Sequence, residues 1–262
     1  MAHLHFGSLS KKHNRRALLT ALETLPKELN DTYNEVLKRI LSQDEEDAEL
    51  AKRVLGWLLY AKRPLTTREL QHALSVTPDS GELDEAALTE EADLISVCAG
   101  IVTVERETSI IRWVHYTTQE YFQRIGLPGA QADIAISCLT YLSYDTFENL
   151  CGSYVSLRER ELNYPFGWYA AKFWGVHARD VEKMASVQDR ALAFLSNEKK
   201  RHSMREMRLQ CGPQEVYYFK PENLPLLPTL AEEGLVTIFS LIKEQGSNTE
   251  DRYLPDKLLD VN

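Results

Sequence analysis

A mainly α-helical protein interrupted by one β-hairpin is what the sequence predicts, on three observations. From Arg16 onward, apolar residues recur at helical spacing in one segment after another. Two short β-branched runs, GIVTVE (residues 100–105) and SIIRWVH (residues 109–115), flank a polar stretch at 106–108 that reads as a hairpin turn. The run WVHYTTQEYF (residues 113–122) then leaves the β pattern for an amphipathic helix, with His115 at the joint.

The elements follow in order. A helical lead over residues 1–43 carries ALLTALETL and then LPKELNDTYNEVLKRIL, where Pro26 suits a first turn and Leu29, Tyr33, Val36, Leu37 and Ile40 form one stripe. The acidic residues 44–47 suit the positive end of the next helix dipole, and Ala51, Val54, Leu55, Leu58 and Leu59 give that helix its buried side before Lys62, Arg63 and Pro64 close it. Thr66 stands three residues before Glu69, the spacing of a capping box, and opens a short helix with Leu70, Ala73 and Leu74 inward. After a turn-rich loop at 77–81, DEAALTEEADLISVCAG is expected as a third helix, with Leu88, Ala92, Ile95 and Val97 or Cys98 inward and Gly100 as its stop. Past the hairpin, Thr117 or Thr118 is placed to cap the last helix, with Glu120 as partner to Thr117, and Tyr121, Phe122 and Ile125 supply its apolar face. Helix, turn, helix, helix and hairpin is the order of a winged helix with a two-stranded wing, here over residues 44–126.

A helical bundle is expected over residues 127–220, with apolar helices at 130–143 and 157–180 and an aromatic stripe of Phe166, Tyr169, Phe173 and Trp174 that belongs in a core. NEKKRHSMREMR (residues 197–208) reads as a solvated helix or linker. Residues 221–262 hold Ala231, Gly234, Ile238, Leu241, Ile242 and Gly246 in the order of one degenerate ankyrin-like unit. Its TPLH start is replaced by Pro225, Leu226, Leu227 and Pro228, and a lone unit would have to pack on the helices before it.

With 39 acidic against 30 basic residues and a net charge of -9, the chain has no overall field to attract nucleic acid or an anionic membrane. Its apolar runs fall far short of the roughly 20 residues of a membrane span, and its first residues lack a secretory pattern, so a cytoplasmic protein is expected. Cys98, Cys138, Cys151 and Cys211 form no CxxC pair and read as free thiols, and no histidine cluster has metal-ligand spacing. Phosphate loop, GxGxxG, HExxH and GxSxG are all missing, so the expectation is no enzyme, no cofactor and no metal. The alternative is a DNA-binding regulator that reads the major groove with residues 67–76, for which Arg68, Gln71 and His72 are the available contacts.

Taken together, TLPKELNDTYNEVLKRI, VLGWLLYAKRPLTTRELQHALSV, LISVCAGIVTV and WVHYTTQEYF resemble the region after the NACHT nucleotide-binding domain in fungal NACHT and ankyrin-repeat proteins, the winged helix of the GPI inositol-deacylase type. The resemblance covers residues 17–125. Such proteins are similar to NOD-like receptors, which are signal-transducing NTPases held closed by the winged helix and opened by a ligand sensed through C-terminal repeats. In that family a winged-helix histidine reaches the β-phosphate of bound ADP, and His115 is the matching position here. The NACHT domain itself is missing, so the resemblance implies a fragment, a truncated product or a short protein that keeps the module for protein partners such as a full-length NACHT relative. Taken alone, His115 is an ordinary histidine at a strand end. No membrane, nucleic-acid or small-molecule partner is expected of this chain by itself.

Overall fold

A computed structural model of the chain describes Arg16 and residues 29–77, 80–208 and 234–245. These form two compact units. One runs up to Ser75 and resumes over Asp84–Ala130; the other comprises Val76–Leu83 and the chain from Gln131 onward.

In the first unit, α1 (Leu29–Leu41) buries Tyr33, Val36 and Ile40, as its stripe predicts. Asp44 caps α2 (Glu45–Tyr60) by accepting from the Asp47 backbone N–H at 3.0 Å. Helix α3 (Thr67–Leu74) carries both halves of the predicted capping box: Thr66 accepts from the Glu69 N–H, and Glu69 accepts from the Thr66 N–H. Arg63 forks onto the same Glu69 carboxylate.

The third helix is not continuous. A 3₁₀ turn at Glu85–Ala87 is followed by an extended stretch and then α4 (Glu91–Ser96). Gln71 of α3 donates to the Thr89 carbonyl at 2.8 Å and holds the extended stretch against α3. Because the helix starts only at Glu91, its phase is set by Leu94, Val97 and Cys98, all buried, while Ala92 is exposed and Leu88 and Ile95 are half-buried. Ala99 and Gly100 both take positive φ as the chain turns into the hairpin.

Strands β1 (Val102–Glu105) and β2 (Ile110–Trp113) pair antiparallel, with Val102 opposite Trp113 and Glu105 opposite Ile110. The chain ahead of α3 joins them: Ile111 donates to the Leu65 carbonyl, and Thr67 donates to the Ser109 carbonyl at 2.7 Å. Helix α5 (Tyr116–Ile125) then packs Tyr121 and Phe122 inward, with Phe122 stacked 5.0 Å from Trp113.

The second unit is helical: α6 (Ala130–Leu142), a 3₁₀ turn at Asp145–Glu148, α7 (Tyr154–Asn163), α8 (Phe166–Arg179), α9 (Ala185–Ser196), α10 (Glu198–Arg208) and α11 (Val236–Gln245). The expected helix over 157–180 is two helices, because Pro165 has no N–H to continue the first and instead opens the second. The aromatic stripe is core. Phe166, Tyr169 and Trp174 are fully buried among Tyr141, Phe147 and Phe194, while Phe173 is half-buried.

The basic helix α10 is not solvated. It buries Lys200, Arg201, Ser203, Met204, Glu206 and Met207. Charge survives there because Lys200, Arg201 and Glu206 each make at least one hydrogen bond, although Arg201 Nε has no partner among the described residues. Lys200 donates to the Ser143 carbonyl and pairs with Asp145, and Arg201 donates to the Leu195 carbonyl. Glu206 accepts from the backbone N–H groups of Cys151 and Gly152 and faces Arg160 at 3.6 Å. In the ankyrin-like region Gly234 takes φ +66 and precedes α11, whose Ile238 is buried; Ala231, Ile242 and Gly246, and the lead over residues 17–28, fall on side chains or segments outside the described residues. No helix among the described residues is long and apolar enough to cross a membrane.

Candidate functional site

His115 is the N-cap of α5. Its backbone is extended (φ -144, ψ 146), and its Nδ1 accepts from the Thr117 backbone N–H at 3.2 Å. Neither Thr117 nor Thr118 caps the helix, contrary to the sequence expectation. Imidazole carries an acceptor nitrogen at the reach of an Asn side chain, and it satisfies the orphan N–H first. The threonine hydroxyls are thereby left for tertiary bonds.

Those bonds run to α1. Tyr33 Oη lies 2.7 Å from Thr117 Oγ1, the Thr118 hydroxyl donates to Tyr33 Oη at 3.1 Å, and Thr117 Oγ1 lies 2.8 Å from His115 Nδ1. Only one direction lets every hydroxyl donate once: Thr118 to Tyr33, Tyr33 to Thr117, Thr117 to His115. Two further bonds, Tyr121 to Asn34 and Arg124 to Asn30, both at 2.7 Å, hold α5 against α1.

This arrangement determines the tautomer. A backbone N–H can only donate, so Nδ1 holds a lone pair, and in the neutral ring the proton sits on Nε2. The ring is exposed, tilted over Tyr116 at 4.7 Å, and Nε2 has no protein partner among the described residues. Val114 and Tyr116 beside it are 47% and 66% exposed, an apolar frame around one hydrogen-bond donor. Such a site can present N–H to an anionic oxygen. No group of three or more His, Cys, Asp or Glu among the described residues could hold a metal ion.

The other candidate residues lie apart. Of the contacts proposed for DNA reading, His72 is buried, Gln71 is bonded to Thr89, and Arg68 faces solvent. Burial pushes the Cys98 thiol up to about 12, lifts Cys138 further still, and does the same to Cys151, to about 12, so none is a thiolate nucleophile at neutral pH. Cys211 lies outside the described residues. Sequence reasoning missed Tyr33 as part of the site, since a tyrosine in an apolar stripe gives no sign that its hydroxyl meets a threonine 84 positions on.

Comparison with known proteins bears on the winged-helix region and its neighbours. Residues 37–137 match the GPI inositol-deacylase winged helix domain family. The chain is 29% identical over 185 residues to azaphilone pigments biosynthesis cluster protein L of Monascus ruber, covering 63% of this chain and 37% of that protein. It is 27% identical over 110 residues to vegetative incompatibility protein HET-E-1 of Podospora anserina, covering 42% of this chain and 8% of that one. The chain therefore spans little more than a third of the first relative and under a tenth of the second. No solved structure matches.

Proposed function

We propose that the chain is a non-catalytic regulatory and protein-interaction module of the NACHT, NOD-like-receptor kind, acting in the cytoplasm beside a nucleotide-binding domain supplied by a longer form of the chain or by a relative. The observation that carries this reading is the fixed Nε2–H of His115, exposed in an apolar frame. When a NACHT domain holds ADP against this face, Nε2–H would donate to a β-phosphate oxygen and stabilise the closed state. The match of residues 37–137 and the HET-E-1 similarity support the reading. The helix after Gly234 fits the second helix of one ankyrin-like unit, which would sit on the sensing side.

Calorimetry tests it. The chain alone should give no heat with ADP or ATP at micromolar concentration. Added to the nucleotide-binding domain of a NACHT relative, it should tighten ADP binding about tenfold, the size of one charge-assisted hydrogen bond, and His115→Asn should abolish that gain. Micromolar ATP binding by the chain alone, or an undiminished gain with His115→Asn, overturns the proposal.

A further inference from the structure

Behind the hairpin the first unit holds a cleft of about 310 Å³ that the His115 reading does not use. Its floor is buried and apolar, made by Trp57, Leu65, Leu70, Ile111 and Trp113. Its mouth is cationic, with Lys62 and Arg112 exposed and Arg63 half-buried. Arg63 and Arg112 pair with Glu69 and Glu105, yet neither carboxylate lines the cleft, and no acidic residue does among the described residues.

A second, independent feature points to an occupant. Trp113 is 8% exposed, and its indole Nε1–H is buried with no hydrogen-bond partner among the described residues. Buried N–H groups are almost always paired, since an unpaired one loses its water and gains nothing. The ring cannot easily turn the group out, because its face is stacked on Phe122 at an interplanar angle of 19°. Trp113 lines the cleft, and an orphan donor on a lining residue beside a positive mouth asks for three things of a ligand: an apolar body, an acceptor oxygen and a negative charge.

We propose that this cleft binds a small apolar carboxylic acid, its body on the Trp57–Ile111 floor, one oxygen accepting from Trp113 Nε1–H and its charge facing Lys62 and Arg112. The volume lies at the small end of ligand pockets, which favours an aryl or branched aliphatic acid over a cofactor. The sequence alone raised no expectation of a small-molecule ligand, because the cleft forms only when residues 57–65 close on 111–119.

Heteronuclear NMR on the whole labelled chain tests this. The protein has 4 tryptophans, so its indole N–H peaks are few, and the peak lost in Trp113→Phe identifies the reporter. The probes are hydrocinnamate and isovalerate, with hydrocinnamamide and phenylpropylamine as neutral and cationic counterparts. At least one acid should shift the Trp113 peak saturably, the amide should bind more weakly and the amine not at all. Lys62→Gln with Arg112→Gln, both at exposed positions, should weaken the acid about tenfold without unfolding the chain. No saturable shift with either acid at about 10 mM, equal binding of the amine, or an affinity indifferent to the double variant overturns the proposal. A Trp113 peak that moves with protein concentration instead of acid assigns the cleft to a second copy of the chain and overturns it equally.

Discussion

Both the hydroxyl relay that ends at His115 and the ion pair of Arg160 with Glu206 draw polar side chains into helix contacts, and they terminate differently. In the second unit, the Arg160 guanidinium donates to Ser203 and to the Asn149 carbonyl, while Glu206, 3% exposed at its side chain, collects the N–H groups of Cys151 and Gly152. That network closes on itself. In the first unit the relay runs from buried Thr118 through Tyr33 and Thr117 to a histidine whose last donor reaches solvent. A closed network stabilises one arrangement and offers nothing outward; an open one spends the same chemistry on presenting a single oriented group.

The contrast breaks most visibly at Glu206. Glu206→Leu removes the carboxylate that faces Arg160 and accepts from the Cys151 and Gly152 N–H groups, and it should cost about 3–5 kcal/mol in urea denaturation. A loss below about 1 kcal/mol would mean that the network is not closed. His72 sharpens the difference within the first unit, because this histidine is buried where His115 is exposed. Burial, then the nearby Arg68 charge, lowers its pKa from 6.5 to about 4. Its neutral form is favoured in the fold, so its contribution is complete above pH 6.5 and drains away as pH falls toward about 4, on the order of 2 kcal/mol. The midpoint of unfolding should fall across that window, and more steeply than in His72→Gln. Tyr33→Phe cuts the relay in its middle and strands the buried Thr118 hydroxyl, for about 1–2 kcal/mol by thermal denaturation. The smallest effect is at the open end. His115→Ala should cost about 1 kcal/mol as a lost cap, and His115→Asn should recover most of it, since Asn accepts from N2 while lacking the Nε2 donor. Equal stability of the alanine and asparagine variants would show that the ring, not the cap, holds α5.

The winged helix was legible because its signals are local. The Thr66–Glu69 box, the β-branched runs that pair as a hairpin over 102–105 and 110–113, and Tyr33, Val36 and Ile40 of the α1 stripe rest on signals a few residues apart, and all appear as expected. The failures trace to side-chain partners that no apolar pattern shows, most of them distant along the chain. Charge in α10 predicts a wet helix until Ser143, Cys151 and Arg160 arrive from some fifty positions away. Thr117 or Thr118 is the expected cap until His115 Nδ1 accepts from the Thr117 N–H, and the helix over 84–99 reads as continuous where Gln71 of α3 in fact holds an extended Thr89. The identity of His115 as the residue at the joint came from sequence; its tautomer and its relay did not.

The bond from Thr67 to the Ser109 carbonyl has a consequence for the order of folding. Its two ends are 42 residues apart, so bringing them together costs about 3 kcal/mol of chain entropy before any contact repays it. The backbone ladders of α1 and α2 close on residues four apart, whereas the start of α3 is stitched down only after the hairpin exists. That stitch is therefore a late event in folding, and Thr67→Val should speed unfolding while leaving the folding arm of a chevron almost unchanged.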